Sequence, residues 1–529
     1  MTLAIMLFGL NSGVFAGASR EKQAKETSVT MAVIDVWSTL NPFASSISEL
    51  SGIAQSLIYL DLARVSKTGD VMPLLLESWE ASADGKTFTV KIRKNMFWHD
   101  GQPITAEDLY WTLKTVTKPE TIVSSRSALA DFEGLDARGV ELSPGSIAVE
   151  KLDDYTLRWK LKIPKSAAAM FYDMRSTHCL PKHVVEKIPL AELTTSNYWY
   201  TNPVGSGPYK FDSMVEGERI EYTKFDKFGL GTPKIDRFIL RMVPQSNLLS
   251  GLMSGDIDIL AGGQYGTLPT SDVALARNQK NLIVESIPVL TYQYISLDNK
   301  GKLNDVRVRK AINLAIDKKR IVSEVLQGEG VVAALPYAAS HPYFNKNLSS
   351  ELDVYNPAAA KALLAEAKWD SNVVLSFGTP AGNAFRNAAA VLVQQDLADI
   401  GIKTEIKQFD NATLMTMLTA GQLDLATMGS AGAIEPNEPY NLYNPDGPYC
   451  FARLTDYTYV DYFKRGINGL NFADRSKEYF ALQEYIIKQM PYSYLCNPNI
   501  IIAYNNRLKN ISAVDLVNSH RAYWEWTIE

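Results

Sequence analysis

Three cysteines in 529 residues, at positions 179, 450 and 496, are too few for a disulfide framework, and their spacing matches no metal motif. At most one bridge can form, with Cys450 and Cys496 as the pair in the same half of the chain; three buried thiols are the alternative. Histidine is nearly as scarce, with five at positions 99, 178, 183, 341 and 520. His178 and His183 stand five apart and miss the three- or four-residue step that places two ligands on one helix face. No Gly-Lys-Ser/Thr phosphate loop is present, and Ser206 in Gly205-Ser206-Gly207 lacks the glycine spacing of a nucleophile elbow. A metalloenzyme, an ATPase and a serine hydrolase therefore each lack their defining residues. There is no basic excess either. The formal charge of −5 disfavours nucleic acid, whose phosphates draw on clustered Lys and Arg.

Charge is missing altogether from the first nineteen residues, where Leu3 to Leu10 is a short apolar run followed by Val14-Phe15-Ala16 and Ala18. That pattern predicts a secretory signal peptide over 1–18, too short to span a membrane, although its start lacks the usual Lys or Arg. No Cys follows the run, so a lipid anchor is not expected and a soluble periplasmic protein is. What is plentiful is apolar residues, 46% against 21% charged, which fits a globular chain long enough for two or three lobes.

Local patterning is clearest from Pro73 to Val116. Phe88, Val90 and Ile92 alternate with Thr89, Lys91 and Arg93, predicting a half-buried strand. Asp84-Gly85 and Asp100-Gly101 supply the positive-φ residue of tight turns. Thr105 with Asp108 reads as a capping box ahead of Leu109, Leu113 and Val116 at helical spacing. Further on, helices stopped by Gly255, Gly401 and Gly421 alternate with apolar strands, and Asp305, Asp317 and Asn356 read as helix caps. Alternating strands and helices predict an α/β protein with covered sheets.

Leu75 to Leu109 resembles the signature of extracytoplasmic solute-binding proteins of the family that serves peptide, nickel and some oligosaccharide ABC importers. Its elements stand in order: an apolar run, Glu77-Ser78-Trp79, a strand, His99-Asp100-Gly101, Pro103, and Thr105-Ala106-Glu107-Asp108. Asn202-Pro203-Val204-Gly205-Ser206-Gly207-Pro208-Tyr209, Gly255-Asp256-Ile257-Asp258, and Asn304 to Lys318 resemble three later segments of the same family. The resemblance implies a periplasmic-binding-protein-like fold, two α/β lobes around a hinged cleft plus an extra third lobe. Lobe I is expected over 27–72, 196–290 and 503–529, lobe II, the extra one, over 73–195, and lobe III over 291–502.

The function implied is capture of a peptide or peptide-like solute by lobe closure and delivery to a membrane permease and its ATPase, by a monomer without catalysis, cofactor or bound metal. An oligosaccharide, an opine-like conjugate or a nickel complex are alternative solutes; a secreted enzyme, chaperone or adhesin on the same fold is the competing class. The solute is expected between lobes I and III. Trp37, Ser38 and Asn41 would touch it from one side, Tyr292 and Gln293 near the hinge, and the loop with Gly429, Ser430, Ala431, Glu435 and Tyr440 from the other. In dipeptide-binding relatives an Asp after the lobe III strand pairs with the ammonium and an Arg before the preceding long helix pairs with the carboxylate. Here Ala433 stands where the Asp is expected and no Arg precedes Arg386, which disfavours a free dipeptide unless Glu435 and Arg386 take over the two anchors.

Overall fold

A computed structural model describes residues 26–35, 37, 39–43, 49–66, 68–121, 123–263, 266–351, 354–512 and 522–529; the expected signal segment lies outside them. The first strand is Ser28–Val33 (β1), and the apolar segment after the Asn41-Pro42 turn forms the helix Glu49–Ile58 (α1). Leu76–Ala81 (β2) and Thr87–Ile92 (β3) form a hairpin, Val149–Asp153 (β4) and Thr156–Lys160 (β5) another, and together they make an antiparallel sheet ordered β2-β3-β5-β4. Phe88, Val90 and Ile92 are buried, as their alternation requires. At the head of Ala106–Val116 (α2), the Asp108 carboxylate accepts the backbone N–H of Thr105 at 2.9 Å, one arm of a capping box. Ser166 caps Ala167–Asp173 (α3) by accepting the N–H of Ala169 at 3.2 Å.

The chain then returns through Tyr209–Val215 (β6), Arg219–Lys224 (β7) and Arg237–Met242 (β8). Leu248–Ser254 (α4) stops at Gly255, whose φ of +83° is the left-handed cap that glycine adopts without a steric penalty. Ile259–Leu260 (β9), Thr270–Arg277 (α5) and Leu282–Pro288 (β10) complete this half. The other half holds Tyr292–Leu297 (β11), Val306–Ala315 (α6), Gly330–Val332 (β12), Val374–Pro380 (β13), Ala384–Asp399 (α7), Lys403–Phe409 (β14), Asn411–Thr419 (α8), Leu425–Ser430 (β15) and Phe472–Gln489 (α9). Tyr492–Asn505 (β16) runs through both.

Hydrogen-bonded order along the large sheet is β14-β13-β15-β11-β16-β9-β1-β8-β7-β6, with β10 and β12 also paired to β16. The first part of β16 pairs with β11, from Tyr492 against Ser296 to Cys496 against Gln293; its last seven residues pair with β10, from Asn499 against Pro288 to Asn505 against Leu282. The crossing therefore falls at 497–499, a few residues before the expected boundary at 502. A second crossing joins β10 to β11, and the Asn497 amide donates to the Thr291 carbonyl at 2.9 Å, tying the two together.

Apolar packing divides the chain into two bodies. One core runs without a break from β1 and α1 through the four-stranded sheet to Tyr523 and Trp526, so the 73–195 unit keeps its own sheet while sharing a core with β1 and α1. Two further cores cover opposite faces of the second half-sheet. Tyr292, Tyr294, Ala426 and Met428 enter one; Ile295, Leu297, Phe377 and Leu425 enter the other. Cys450 lies in the first of these and Cys496 in the second, so the sheet separates them; all three cysteines are buried free thiols.

Candidate functional site

Strand alternation explains what gathers at the edge where β11 begins and β15 ends. In this antiparallel pair Tyr292 faces Ser430 and Gln293 faces Gly429. Tyr292 turns into the core, fully buried, and Gln293 turns to the face covered by α7. Asn383 caps α7 by accepting the backbone N–H of Arg386 at 3.0 Å, which fixes Arg386 in the first helical turn. From there the Arg386 Nε donates to the Gln293 side-chain carbonyl at 3.0 Å. Glycine at 429 makes room for this: a Cβ there would stand 2.6 Å from the guanidinium and 2.6 Å from the Gln293 carbonyl oxygen. Three distant segments thus converge on one cation. Burial lowers the Arg386 pKa from its ordinary value, and among the described residues no carboxylate pairs with it.

An acid stands on the other face of the same strand pair. The Glu438 carboxylate accepts a hydrogen bond from the Ser430 hydroxyl at 2.9 Å and from the Tyr292 hydroxyl at 3.4 Å. It is half-buried, desolvation raises its pKa, and no cation among the described residues neutralises it. Glu435, three residues earlier, is buried and paired with the Arg475 guanidinium. Burial pushes its carboxyl up while Arg475 pulls it back. An acid already held by an arginine is a poor seat for a second cation, so the ammonium role expected of Glu435 is blocked.

Of the remaining expected residues, Ala431 stays beside the cluster and the others lie elsewhere. Ala431 is exposed, and its carbonyl accepts from the Thr291 hydroxyl at 2.9 Å. Tyr440 packs edge-on against Phe463 with ring centroids 5.7 Å apart. Trp37 is buried in the first core, its indole N–H on the Met214 sulfur at 3.3 Å. Asn41 is fully buried: its amide donates to the carbonyls of Leu193 and Thr194, and its oxygen accepts the N–H of Phe43 at 2.8 Å. It has no polar atom left for a solute. Ser38 lies outside the described residues. Tyr292, Gln293, Arg386, Gly429, Ser430 and Ala431 come together, whereas Trp37 and Asn41 belong to packing. Glu438 and Arg475 were not anticipated; the two acids of Glu435-Pro436-Asn437-Glu438 look alike in sequence, and only the contact from forty residues downstream separates them.

A cavity of about 770 Å³ opens between the two bodies beside this cluster. Pro269 and Thr270 line it from one body, Leu326, Ala384, Phe385 and Leu392 from the other, so its wall reaches the residue before Arg386. None of Trp37, Asn41, Tyr292 or Gln293 lines it.

The model of the bacterial extracellular solute-binding proteins, family 5, middle region, matches residues 70–449. The chain is 27% identical over 524 residues to the oligopeptide-binding protein AppA of Bacillus subtilis, covering 94% of this chain and 92% of that protein. It is 26% identical over 392 residues to the dipeptide-binding protein of Escherichia coli, covering 71% and 70%. In structure it superposes on the ABC transporter substrate-binding protein CtaP of Listeria monocytogenes with a TM-score of 0.83 at 22% identity, covering 95% and 99%. On Bacillus subtilis AppA in complex with a nonapeptide the TM-score is 0.74 at 25% identity, covering 95% and 99%.

Proposed function

We propose, from the premise that this chain belongs to the bacterial extracellular solute-binding proteins of family 5, that its solute is a peptide held by its two charged ends. The chain is the extracytoplasmic solute-binding component of an ABC importer, and the hinge between its bodies is where such a protein closes. The peptide carboxylate sits against Arg386 and the ammonium against Glu438. One observation carries this reading: these two half-buried charges flank one strand end, each oriented by hydrogen bonds and neither neutralised within the described residues. Glu438 supplies the acid that Ala433 lacks. The curated relatives named as oligopeptide- and dipeptide-binding proteins support the same solute class. Release to a permease and its ATPase follows without turnover, by a monomer in the periplasm.

Mass spectrometry of the solute that co-purifies identifies it directly. Calorimetry with dialanine, trialanine, trialanine amide, N-acetyl-trialanine and maltotriose then tests the seat. Losing one partner of a desolvated charge pair costs roughly 2–5 kcal/mol, or about 30- to 4,000-fold in affinity. Each blocked peptide should weaken by at least the lower figure. Equal binding of free and blocked peptides would remove both anchors; binding of maltotriose alone would remove the peptide reading.

A further inference from the structure

The arginine that occupies Glu435 is itself unusual. Arg475, at the start of α9, is 1% exposed, and it donates to Glu435, to the Gly466 carbonyl at 3.2 Å and, in the other body, to the Ser166 hydroxyl at 3.5 Å. Its guanidinium also lies over the rings of Tyr343 and Tyr479, at 5.3 and 5.7 Å from their centroids. Glu435 in turn organises the loop. Its carboxylate accepts the N–H of Asn437 at 3.3 Å, and its carbonyl accepts the N–H of Glu438 at 3.0 Å. Below the same loop, the Tyr337 hydroxyl donates to the Pro436 carbonyl at 2.7 Å.

We propose that Arg475 is a positioning residue that fixes the 433–438 loop and ties it to the four-stranded unit, so that this unit takes part in solute capture. A buried ion pair is a poor device for stability alone, because desolvation offsets most of its attraction and apolar side chains of similar volume hold as well. What apolar side chains would not do is exchange hydrogen bonds with a group on the opposing body. Ser166 is that group. Around it the bodies fit closely: a Cβ added at Gly85 would stand 2.4 Å from the Leu470 side chain. Next to Ser166, buried Lys165 pairs with Asp131 at 2.6 Å and with Asp173. Those charges are neutralised within the four-stranded unit, as Arg475 and Glu435 are within the other body, and the hydrogen bond from Arg475 to Ser166 is the direct polar link across the seam. Because Glu435 and Glu438 share one short loop, seating of the bodies and the position of the Glu438 carboxylate are mechanically joined.

The coupling to capture rests on the proposed seat at Glu438, so the test reads the seam and the seat separately. Hydrogen exchange is followed in wild type, Ser166→Ala and Leu470→Ala, both as isolated and after solute is stripped by unfolding and refolding. Exchange at Asn437 and Glu438 should accelerate at least threefold in one or both preparations, with β11 and β15 amides unchanged. Stopped-flow release of trialanine should quicken by a similar factor with its association rate unaltered. Arg475→Lys should fall between wild type and Arg475→Met in both readouts, which a merely space-filling role would not produce. Unchanged loop exchange in Ser166→Ala and Leu470→Ala in both preparations overturns the tie. A loop that responds while trialanine release does not would keep the tie and overturn the seat.

Discussion

Two histidines held between backbone groups, His99 half-buried and His341 buried, should make this protein lose stability in mild acid, and the size of the loss follows from their bonds. His99 accepts the Gly205 N–H on Nδ1 at 3.2 Å and faces the Gly207 carbonyl with Nε2 at 3.0 Å. His341 repeats the arrangement, with the Tyr343 N–H on Nδ1 and the Ala433 carbonyl at Nε2, both at 3.0 Å. These partners fix the neutral tautomer with the proton on Nε2. A second proton would have to enter at Nδ1, against a backbone N–H that already donates there. Burial accordingly lowers both from 6.5 to about 4, against the pull of the facing carbonyls. A pKa depressed in the folded state contributes stability that is complete above pH 6.5 and is lost as the pH falls towards 4. Between pH 7 and 4.5 the loss is about 2 kcal/mol for each ring. Glu435 and Glu438, raised in the folded state by burial, act in the opposite sense as the pH falls, so the readout is a difference. Urea unfolding at pH 7 and 4.5 should show the pH-induced loss shrinking by about 2 kcal/mol in His99→Gln, and likewise in His341→Gln. If the bodies unfold separately, each substitution should flatten only its own transition. An acid-induced loss identical in wild type and both variants would refute the reasoning.

Arg386→Met should weaken trialanine binding by roughly 30-fold or more in calorimetry while leaving the melting temperature nearly unchanged, since it removes a charge and no ion pair. Gly429→Ala should have a related effect on affinity: its Cβ pushes against the Arg386 and Gln293 side chains, whose ends can move, so binding falls about tenfold and urea stability hardly changes. Asn41→Ala should do the reverse. It strands two buried carbonyls and an N–H, lowering stability by about 2 kcal/mol in urea with trialanine affinity within about twofold, and a large loss of affinity would return Asn41 to the solute site.

Much of the scaffold is legible because its signals are local. The Thr105-Asp108 cap, the Gly255 stop and the alternation of Phe88, Val90 and Ile92 each act within a few residues, where sequence spacing and physical contact coincide. The strand pair at Tyr292 and Ser430 was reachable only through resemblance, since nothing in either segment names the other. Asn41 shows the limit. As a residue after a turn it looks free to bind, yet its partners lie some 150 positions downstream. Glu435 and Glu438 show it more sharply, because what distinguishes a neutralised acid from an available one is a guanidinium that enters from α9. The common core of the first lobe and the four-stranded unit is likewise a property of packing between segments and leaves no mark in either alone.

The paired crossings of β10–β11 and β16 have a consequence for the direction of movement. Two neighbouring strands make a ribbon with a broad face and a narrow edge. Such a ribbon flexes across its face with small torsional changes, but in its own plane one strand would have to slide against the other, straining the Gln293–Cys496 and Pro288–Asn499 pairings on either side of the crossing and the Asn497–Thr291 tie between them. Bending across the face is therefore the soft direction for the bodies to swing, like a door on its leaf, and in-plane shear is the stiff one. Gln293 is set in the leaf itself, one step from the Asn497–Thr291 tie, so it travels least of all and offers Arg386 the same anchorage whether the door stands open or shut.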